Sequence, residues 1–358
     1  MKVKIIAEAG SNHNGEINLA FQLVDIALAA KADFVKFQII NPDLLYVPYY
    51  WEQGKKIENI VHKRRHSETL TYDEWRKVKE YATTVGIEFT ASVFDIGGVD
   101  FLIELGVPFI KLASSDLNNV ELIKYISTKN LPLIISTGMA NIDEIKISVN
   151  AFSEKGNISN LKILHCVSVY PCDLKNTNLY RLDELNSIFN CEIGLSDHTM
   201  NSIAACVATS KGVVFIEKHF TIDKLMDGFD HKYASSPNEF KAYIKNIRAI
   251  ERSLLPDLIN KSDSKEDVTK VRARRGLYLK KSIKKGDVIT EDNLIALRPT
   301  NKFNPDEKNK LVGVYAGEDI NEYESIDLKN SLAFKDTKLS WKEADSFWVN
   351  EMKEKKML

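Results

Sequence analysis

Eight short apolar runs recur along the first two thirds of the chain, each followed by a segment of helical pattern. They are Lys4–Ala9, Asp33–Ile39, Ile87–Phe94, Phe109–Ser114, Leu131–Thr137, Leu161–Cys166, Cys191–Asp197 and Val213–Phe220. Each has about the length of a strand and is rich in Ile, Val and Phe without clean alternation, as expected of strands buried on both faces. Between them, Ile17–Lys31 is Ala- and Leu-rich with helical periodicity, and Thr71-Tyr-Asp-Glu74 opens a helix as a capping box. Ser236-Pro237-Asn-Glu239 opens the last helix, with Pro at its first position, and its pattern predicts burial of Phe240, Tyr243, Ile244, Ile247 and Leu254. Eight β–α units within about 255 residues match an α/β fold of the TIM (β/α)8 barrel type in number and length. The rival, a doubly wound open sheet, carries fewer strands and a Gly-rich first turn. Here that turn is Ala9-Gly-Ser-Asn-His-Asn-Gly15, which lacks G-x-G-x-x-G.

A chain of 358 residues leaves room for such a barrel and an appendage. With 44% hydrophobic and 28% charged residues it supports a large core, which excludes disorder throughout. Lys and Arg total 49 against 50 Asp and Glu, so a wholesale polyanion-binding surface is excluded, though a local basic patch is not. No window approaches the ~18 uninterrupted apolar residues of a membrane helix, and Glu8 falls where a signal peptide is still apolar. The expectation is a soluble, cytoplasmic protein with no membrane and no nucleic-acid partner. Cys166, Cys172, Cys191 and Cys206 are too scattered for a disulfide framework and form no CxxC. They are expected as buried free thiols that pack and carry no chemistry.

In a TIM barrel the chemistry sits at the C-terminal ends of the strands. Those ends offer Glu8; Lys36 and Gln38; Ser92; Lys111, Ser114 and Asp116; Ser136; Ser168 and Tyr170; Ser196, Asp197 and His198; and Lys218 and His219. Any one of them alone is an ordinary polar terminus. Lysines in a barrel mouth, however, are costly unless they face an anion or an acid, and lysines joined by serines from several strands describe an oxyanion- or phosphate-binding cup. His198 and His219 end neighbouring strands, beside Glu8 and Asp230. They read equally as a divalent-metal pair or as hydrogen-bonded buried histidines, since no HxH or HExxH spacing decides. The connection over residues 40–70 is unusually long and carries Tyr46, Tyr49, Tyr50, Trp51 and the basic run His62-Lys-Arg-Arg-His66. It reads equally as a cover for the barrel mouth or as a solvated flap.

The pattern divides the chain into a barrel over 1–255, a polar linker over 256–269, a small β module over 270–330 and an extension over 331–358 with Trp341 and Trp348. The module carries a weak internal repeat: Leu277-Tyr-Leu-Lys-Lys-Ser-Ile-Lys-Lys-Gly-Asp-Val-Ile-Thr can be laid on Val314-Tyr-Ala-Gly-Glu-Asp-Ile-Asn-Glu-Tyr-Glu-Ser-Ile-Asp. Two related strand–turn–strand units predict a pseudo-twofold arrangement. Eight Lys/Arg and no acid lie between Lys270 and Lys285. With little aromatic interleaving, this stretch reads as a solvated or anion-facing edge and not as a nucleic-acid surface.

Several segments together resemble the sialic acid (N-acetylneuraminate) synthase family. They are Ala7-Glu-Ala-Gly-Ser-Asn-His-Asn-Gly15, Val35-Lys-Phe-Gln38, Lys111-Leu-Ala-Ser-Ser-Asp116, Ile135-Ser-Thr-Gly-Met139, Leu164-His-Cys-Val-Ser-Val-Tyr-Pro171, Ile193-Gly-Leu-Ser-Asp-His-Thr199, Ile216-Glu-Lys-His-Phe220 and Gly228-Phe-Asp-His-Lys232. Ile283-Lys-Lys-Gly-Asp-Val-Ile-Thr-Glu-Asp-Asn-Leu and Leu297-Arg-Pro299 resemble the family's antifreeze-like (SAF, β-clip) domain. The likeness runs in order from residue 4 to about 330. It implies a transferase that condenses phosphoenolpyruvate with an N-acetylated hexose such as N-acetylmannosamine, or a legionaminate- or pseudaminate-type relative. A metal-dependent aldolase or lyase, or a non-catalytic sugar-binding protein, are the alternatives on the same barrel.

The resemblance also implies roles. Glu8 and Asp116 would serve as catalytic acid/base groups. Lys36, Ser92, Lys111, Ser114, Ser136 and Ser196 would bind phosphoenolpyruvate. Gln38, Ser168, Tyr170, Asp230 and Arg298 would bind the sugar, and His198 and His219 would hold a divalent metal, Mn2+ or Mg2+. Arg298 would come from the neighbouring subunit of a domain-swapped homodimer. The chain departs from the family at Asp116, where many bacterial members carry Glu, and at Ser92, Val93, Val167, Ser168, Val169 and Phe229. Those changes cluster near the sugar and so bear on which acceptor is used.

Overall fold

The computed structural model describes residues 2–255 and 264–326; the expected extension with Trp341 and Trp348, and most of the expected linker, lie outside the described residues. Its contacts divide the chain into two compact units, Met1–Leu254 and Leu255–Leu358. The strands in chain order are β1 (Lys4–Gly10), β2 (Phe34–Ile39), β3 (Tyr49–Glu52), β4 (Lys55–Glu58), β5 (Glu88–Val93), β6 (Ile110–Leu112), β7 (Leu133–Ser136), β8 (Leu161–Cys166), β9 (Glu192–Asp197), β10 (Phe215–His219), β11 (Gly276–Leu279) and β12 (Leu294–Leu297). Eight of them, in the order β1-β10-β9-β8-β7-β6-β5-β2, close into a parallel barrel. The TIM-barrel expectation therefore holds, because apolar runs buried on both faces need helices outside and packing inside.

The interior is layered by the period-two alternation of strands. Ile6, Phe109, Ile134 and Leu164, with Phe34 and Phe215 packed against them, form an apolar floor separate from the core under the helices. Two residues farther along the same strands stand Glu8, Lys111, Ser136, Cys166, Lys36 and Glu217. The same alternation that builds the floor thus lifts a polar layer above it, toward the C-terminal ends.

Local signals behave as the sequence predicts at most helix starts. Thr71 and Glu74 form a reciprocal capping box on helix Tyr72–Val85, and Ser236 and Glu239 do so on Pro237–Ser253. That last helix buries Phe240, Tyr243, Ile244 and Ile247. Leu254, predicted in the same stripe, is 52% exposed because the helix ends at Ser253 and Leu254 only caps it. The 40–70 connection is neither an open loop nor a plain flap. It folds into a short helix (Pro42–Leu45), the hairpin β3–β4 and the helix Ile60–Ser67. Trp51 on the hairpin is 68% exposed, whereas Arg65 on the helix is buried.

In the second unit β11 and β12 pair antiparallel over a core that includes Leu277, Leu279, Ile283, Ile289 and Leu294. Its isolated bridges join Ile283 to Ile320, Tyr278 to Ser325 and Val288 to Tyr315. The offset that carries Ile283 onto Ile320 also carries Tyr278 onto Tyr315 and Val288 onto Ser325. The Ile283–Ile320 bridge is therefore its own image under the repeat and the other two are images of each other, as a pseudo-twofold axis beside Ile283 and Ile320 requires.

Candidate active site

The polar layer of the barrel is a buried ion cluster. Lys36 Nζ touches Glu8 Oε2, donates to Ser92 Oγ at 2.9 Å and lies 3.5 Å from Glu217 Oε2. Lys111 Nζ lies 3.9 Å from Glu217 Oε1 and donates to the Leu112 carbonyl at 2.8 Å. Ser196 Oγ donates to Glu217 Oε1 at 2.8 Å, and Gln38 Nε2 donates to Glu8 Oε1 at 3.1 Å. Lys36, Lys111 and Glu8 are each 2% exposed, so these charges have only one another for compensation. Burial, reinforced by the Glu217 charge and only partly opposed by Lys36, pushes Glu8 up to about 7. Burial acts the same way on Glu217, but Lys111, Lys36 and Ser196 outweigh it and hold that carboxyl down at about 2. Burial also lowers Lys111. Two neighbouring carboxyl groups are thus pushed in opposite directions, Glu8 toward its protonated form and Glu217 toward its ionised form, which is how acid and base roles are divided in a site. Among the described residues the buried Glu217 Oε2 and Ser136 Oγ have no hydrogen-bond partner, leaving capacity that a bound molecule can use.

Above this layer lies a rim. Gly138 N donates to Ser114 Oγ at 2.9 Å, and a Cβ at Gly138 would sit 2.1 Å from Ser168 Oγ, so only glycine lets the β7, β6 and β8 exits converge here. Asp116 ends a 3-10 turn, Ser114–Asp116, where Ser115 Oγ donates to it at 2.7 Å and burial raises its pKa. Opposite, Tyr170 lies on His198 with ring centroids 4.0 Å apart, and the His198 and His219 centroids are 5.5 Å apart. Tyr233 donates to Asp230, whose Oδ2 is 3.8 Å from His219 Nδ1.

These histidines fit a divalent ion. His198 Nδ1 donates to the Val167 carbonyl at 2.8 Å, which leaves Nε2 as the ligand atom, and a ring so oriented is the usual form of a metal ligand. His219 Nδ1 is buried with no hydrogen-bond partner among the described residues, and burial lowers this ring to about 4, keeping it neutral with a lone pair to give. Cys166 Sγ lies 3.8 Å from His198 Nδ1. Burial works against the thiolate, yet His198, Ser114 and Lys111 hold the thiol below its ordinary value.

Most of the residues singled out at the strand ends meet in this one space; two do not. Asp197 and Lys218 have the opposite parity and face the outer helices, where Tyr243 donates to Asp197 Oδ2 at 2.8 Å and Lys218 lies 3.9 Å from the same oxygen. Arg298 follows β12 in the second unit, exposed, beside a cavity of about 360 Å3 that Tyr278 and Tyr323 also line. Sequence reasoning missed Glu217, Cys166 and Tyr233. Parity was the available signal for Glu217, since it stands two residues before His219 on β10. All four cysteines are free thiols as expected, but only Cys166 and Cys172 are buried; Cys191, just before β9, and Cys206, on the outer helix Ile203–Ser210, are half-buried. A cavity of about 510 Å3 around Lys162, Asp183, Cys191 and Lys211 opens at the other end of the barrel and holds none of these groups.

Comparison with known proteins gives two family matches: the NeuB family over residues 23–256 and the SAF domain over residues 274–329. The chain is 35% identical over 332 residues to an N,N'-diacetyllegionaminic acid synthase of Campylobacter jejuni, covering 91% of this chain and 99% of that protein. It is 33% identical over 325 residues to a pseudaminic acid synthase of the same species, covering 89% and 94%. Among solved structures, an N-acetylneuraminic acid synthetase from Leptospira borgpetersenii superposes with a TM-score of 0.65 at 31% identity, over 75% of this chain and 90% of that one.

Proposed function

The chain belongs to the NeuB family, and from that premise we propose that it condenses phosphoenolpyruvate with the open-chain aldehyde of an N-acetylated hexose, giving a nonulosonic acid and phosphate. That it is a phosphoenolpyruvate-using sugar-acid synthase follows from the family; the assignment of acceptor and of residue roles is the proposal. The observation that carries it is the buried cluster of Lys36, Lys111, Glu8 and Glu217 above the barrel floor. A phosphate and a carboxylate entering that space meet two lysines and the hydroxyls of Ser92, Ser114, Ser136 and Ser196, which the strand ends already gather in one place.

In the reaction C3 of phosphoenolpyruvate forms a bond to the aldehyde carbon. Water adds at C2, and phosphate leaves with its bridging oxygen as the C2–O bond breaks. Glu8, held by Gln38 and poised near neutrality, takes the proton from that water, and Asp116 at the rim, raised by burial, gives a proton to the aldehyde oxygen as it becomes the new hydroxyl. Glu217 keeps Lys36 and Lys111 charged and in place until the substrate's own anions take over that task. Ser168, Tyr170 and Asp230 line the acceptor's side, and Arg298 of a second copy reaches the N-acyl group in a domain-swapped homodimer. His198 and His219 would hold a divalent metal, Mn2+ or Mg2+, whose Lewis acidity polarises the aldehyde.

The relatives' names include legionaminic, pseudaminic and N-acetylneuraminic products, so a legionaminate- or pseudaminate-type acceptor is the second reading. Ser168, whose Oγ lies 2.1 Å from where a Cβ at Gly138 would sit, and Phe229, next in sequence to Asp230, are the departures that bear on the choice of acceptor. Incubation with phosphoenolpyruvate and a panel of N-acetylated and di-N-acetylated hexoses, reading phosphate release together with product mass, decides between them. Turnover with pyruvate and no phosphate would instead make the protein an aldolase.

A further inference from the structure

We propose that Asp43, His62 and His66 form a second divalent-metal site, for a borderline-soft ion such as Zn2+, Ni2+ or Co2+, on the connection between β2 and β5. Four residues apart on helix Ile60–Ser67, the two histidines share one face. Their Nε2 atoms are 3.4 Å apart, and Asp43 Oδ1 lies 2.8 Å from that of His62 and 3.1 Å from that of His66. The rings are nearly perpendicular, at 78°, so each edge is turned toward the same point from a different direction. A tetrahedral ion with bonds of about 2.0–2.1 Å separates its ligand atoms by about 3.3 Å. The imidazole nitrogens already have that spacing. Asp43 is exposed and free to move outward by the small remainder.

The surrounding charges leave this carboxylate to the imidazoles. Lys63 pairs with Glu58 at 3.3 Å, Arg64 with Glu68 at 2.7 Å, and Arg65 with Glu68 at 3.4 Å. The basic run is thus balanced away from Asp43, and the three converging atoms are two imidazole nitrogens and one carboxylate oxygen. Two imidazoles select transition ions over Mg2+ or Ca2+, which prefer oxygen. Exposure of Asp43 and His66 leaves room for water in the remaining position.

The site would act as a clamp. Asp43 follows β2, which carries Lys36 and Gln38, while the histidine helix carries Arg65. Arg65 donates to Ser11 Oγ at 2.7 Å and lies 3.9 Å over the Phe229 ring, next in sequence to Asp230. An ion joining Asp43 to the helix fixes the two ends of this insertion together beside the barrel mouth.

The test uses the full chain, stripped with a chelator and titrated with Zn2+ alone in equilibrium dialysis, with Co2+ absorption as a check on geometry. His62→Gln/His66→Gln keeps an amide N–H for Asp43 but offers no imidazole. Asp43→Asn is the independent second variant. Each should lose one equivalent of tightly bound ion or bind it at least 30-fold more weakly, with metal-free melting unchanged. His198→Ala/His219→Ala should retain that equivalent. Stoichiometry and affinity unaltered in both Asp43 and histidine variants would overturn the proposal, as would a sole bound equivalent that disappears in His198→Ala/His219→Ala.

Discussion

Replacing Glu217 by Gln isolates the charge at the centre of the ion cluster. The side chain keeps its size, and its amide oxygen can still accept from Ser196 Oγ, now 2.8 Å from Glu217 Oε1. At 3.5 Å from Lys36 and 3.9 Å from Lys111, an effective dielectric constant of about 20 gives roughly 4–5 kcal/mol of attraction to each. Part of that is offset by the carboxylate's own desolvation. Removing one partner of a buried ion pair costs about 3–5 kcal/mol net. For a domain of this size each kcal/mol moves the melting temperature by about 2–4 °C, so the variant should melt roughly 6–20 °C lower. The loss should be conditional. With Glu217 gone, Lys36 and Lys111 face an empty cup with only Glu8 to answer them, and an added anion takes the missing place. Thermal melts of wild type and Glu217→Gln, each with and without inorganic phosphate or phosphoenolpyruvate, test this directly. Phosphate should raise the variant's melting temperature by more than the wild type's. A variant as stable as wild type, or one that phosphate stabilises no more than wild type, would refute the assignment of the two lysines to an anion cup.

Three further outcomes are expected. Because Glu8 is pushed up to about 7, its carboxylate is lost as pH falls through that value. The kcat/KM should therefore climb between pH 6 and 8, and Glu8→Gln should abolish turnover; a flat profile would remove Glu8 as the base. Lys111→Ala should lower kcat/KM for phosphoenolpyruvate by the worth of a charged hydrogen bond, about 1.5–3 kcal/mol or roughly 10- to 150-fold, with the acceptor KM nearly constant in steady-state kinetics. Arg298→Ala should raise the acceptor KM several-fold, and mixing it with inactive Glu8→Ala chains should restore activity through a heterodimer in which one barrel bears neither lesion. Confirmed heterodimers without recovery would mean that Arg298 serves its own barrel or none.

The barrel is legible in the sequence because each strand is a contiguous apolar run, and burial on both faces leaves a plain signature. The site is legible less evenly. Strand ends offer residues of both parities, and only those in step with the floor residues Ile6, Phe109, Ile134 and Leu164 point inward. Glu217 belongs to that set and Lys218 to the other, although they are neighbours in one motif. Cys166 reads as a packing residue by composition, and its interaction with His198, Ser114 and Lys111 is a product of the closed barrel. His62 and His66 read as part of a basic run. Their relation to Asp43, on a different helix 19 residues before His62, is a product of the tertiary fold that no local pattern announces.

The central claim is that phosphoenolpyruvate is cleaved at its C2–O bond as its C3 joins the acceptor. Phosphoenolpyruvate carrying 18O in the bridging position, incubated with the full chain and the acceptor that the panel identifies, tests it most directly. All of the label should appear in inorganic phosphate and none in the sugar acid, with phosphate formed only when both substrates are present. Label retained in the sugar acid, or phosphate released at the same rate without acceptor, would contradict the account.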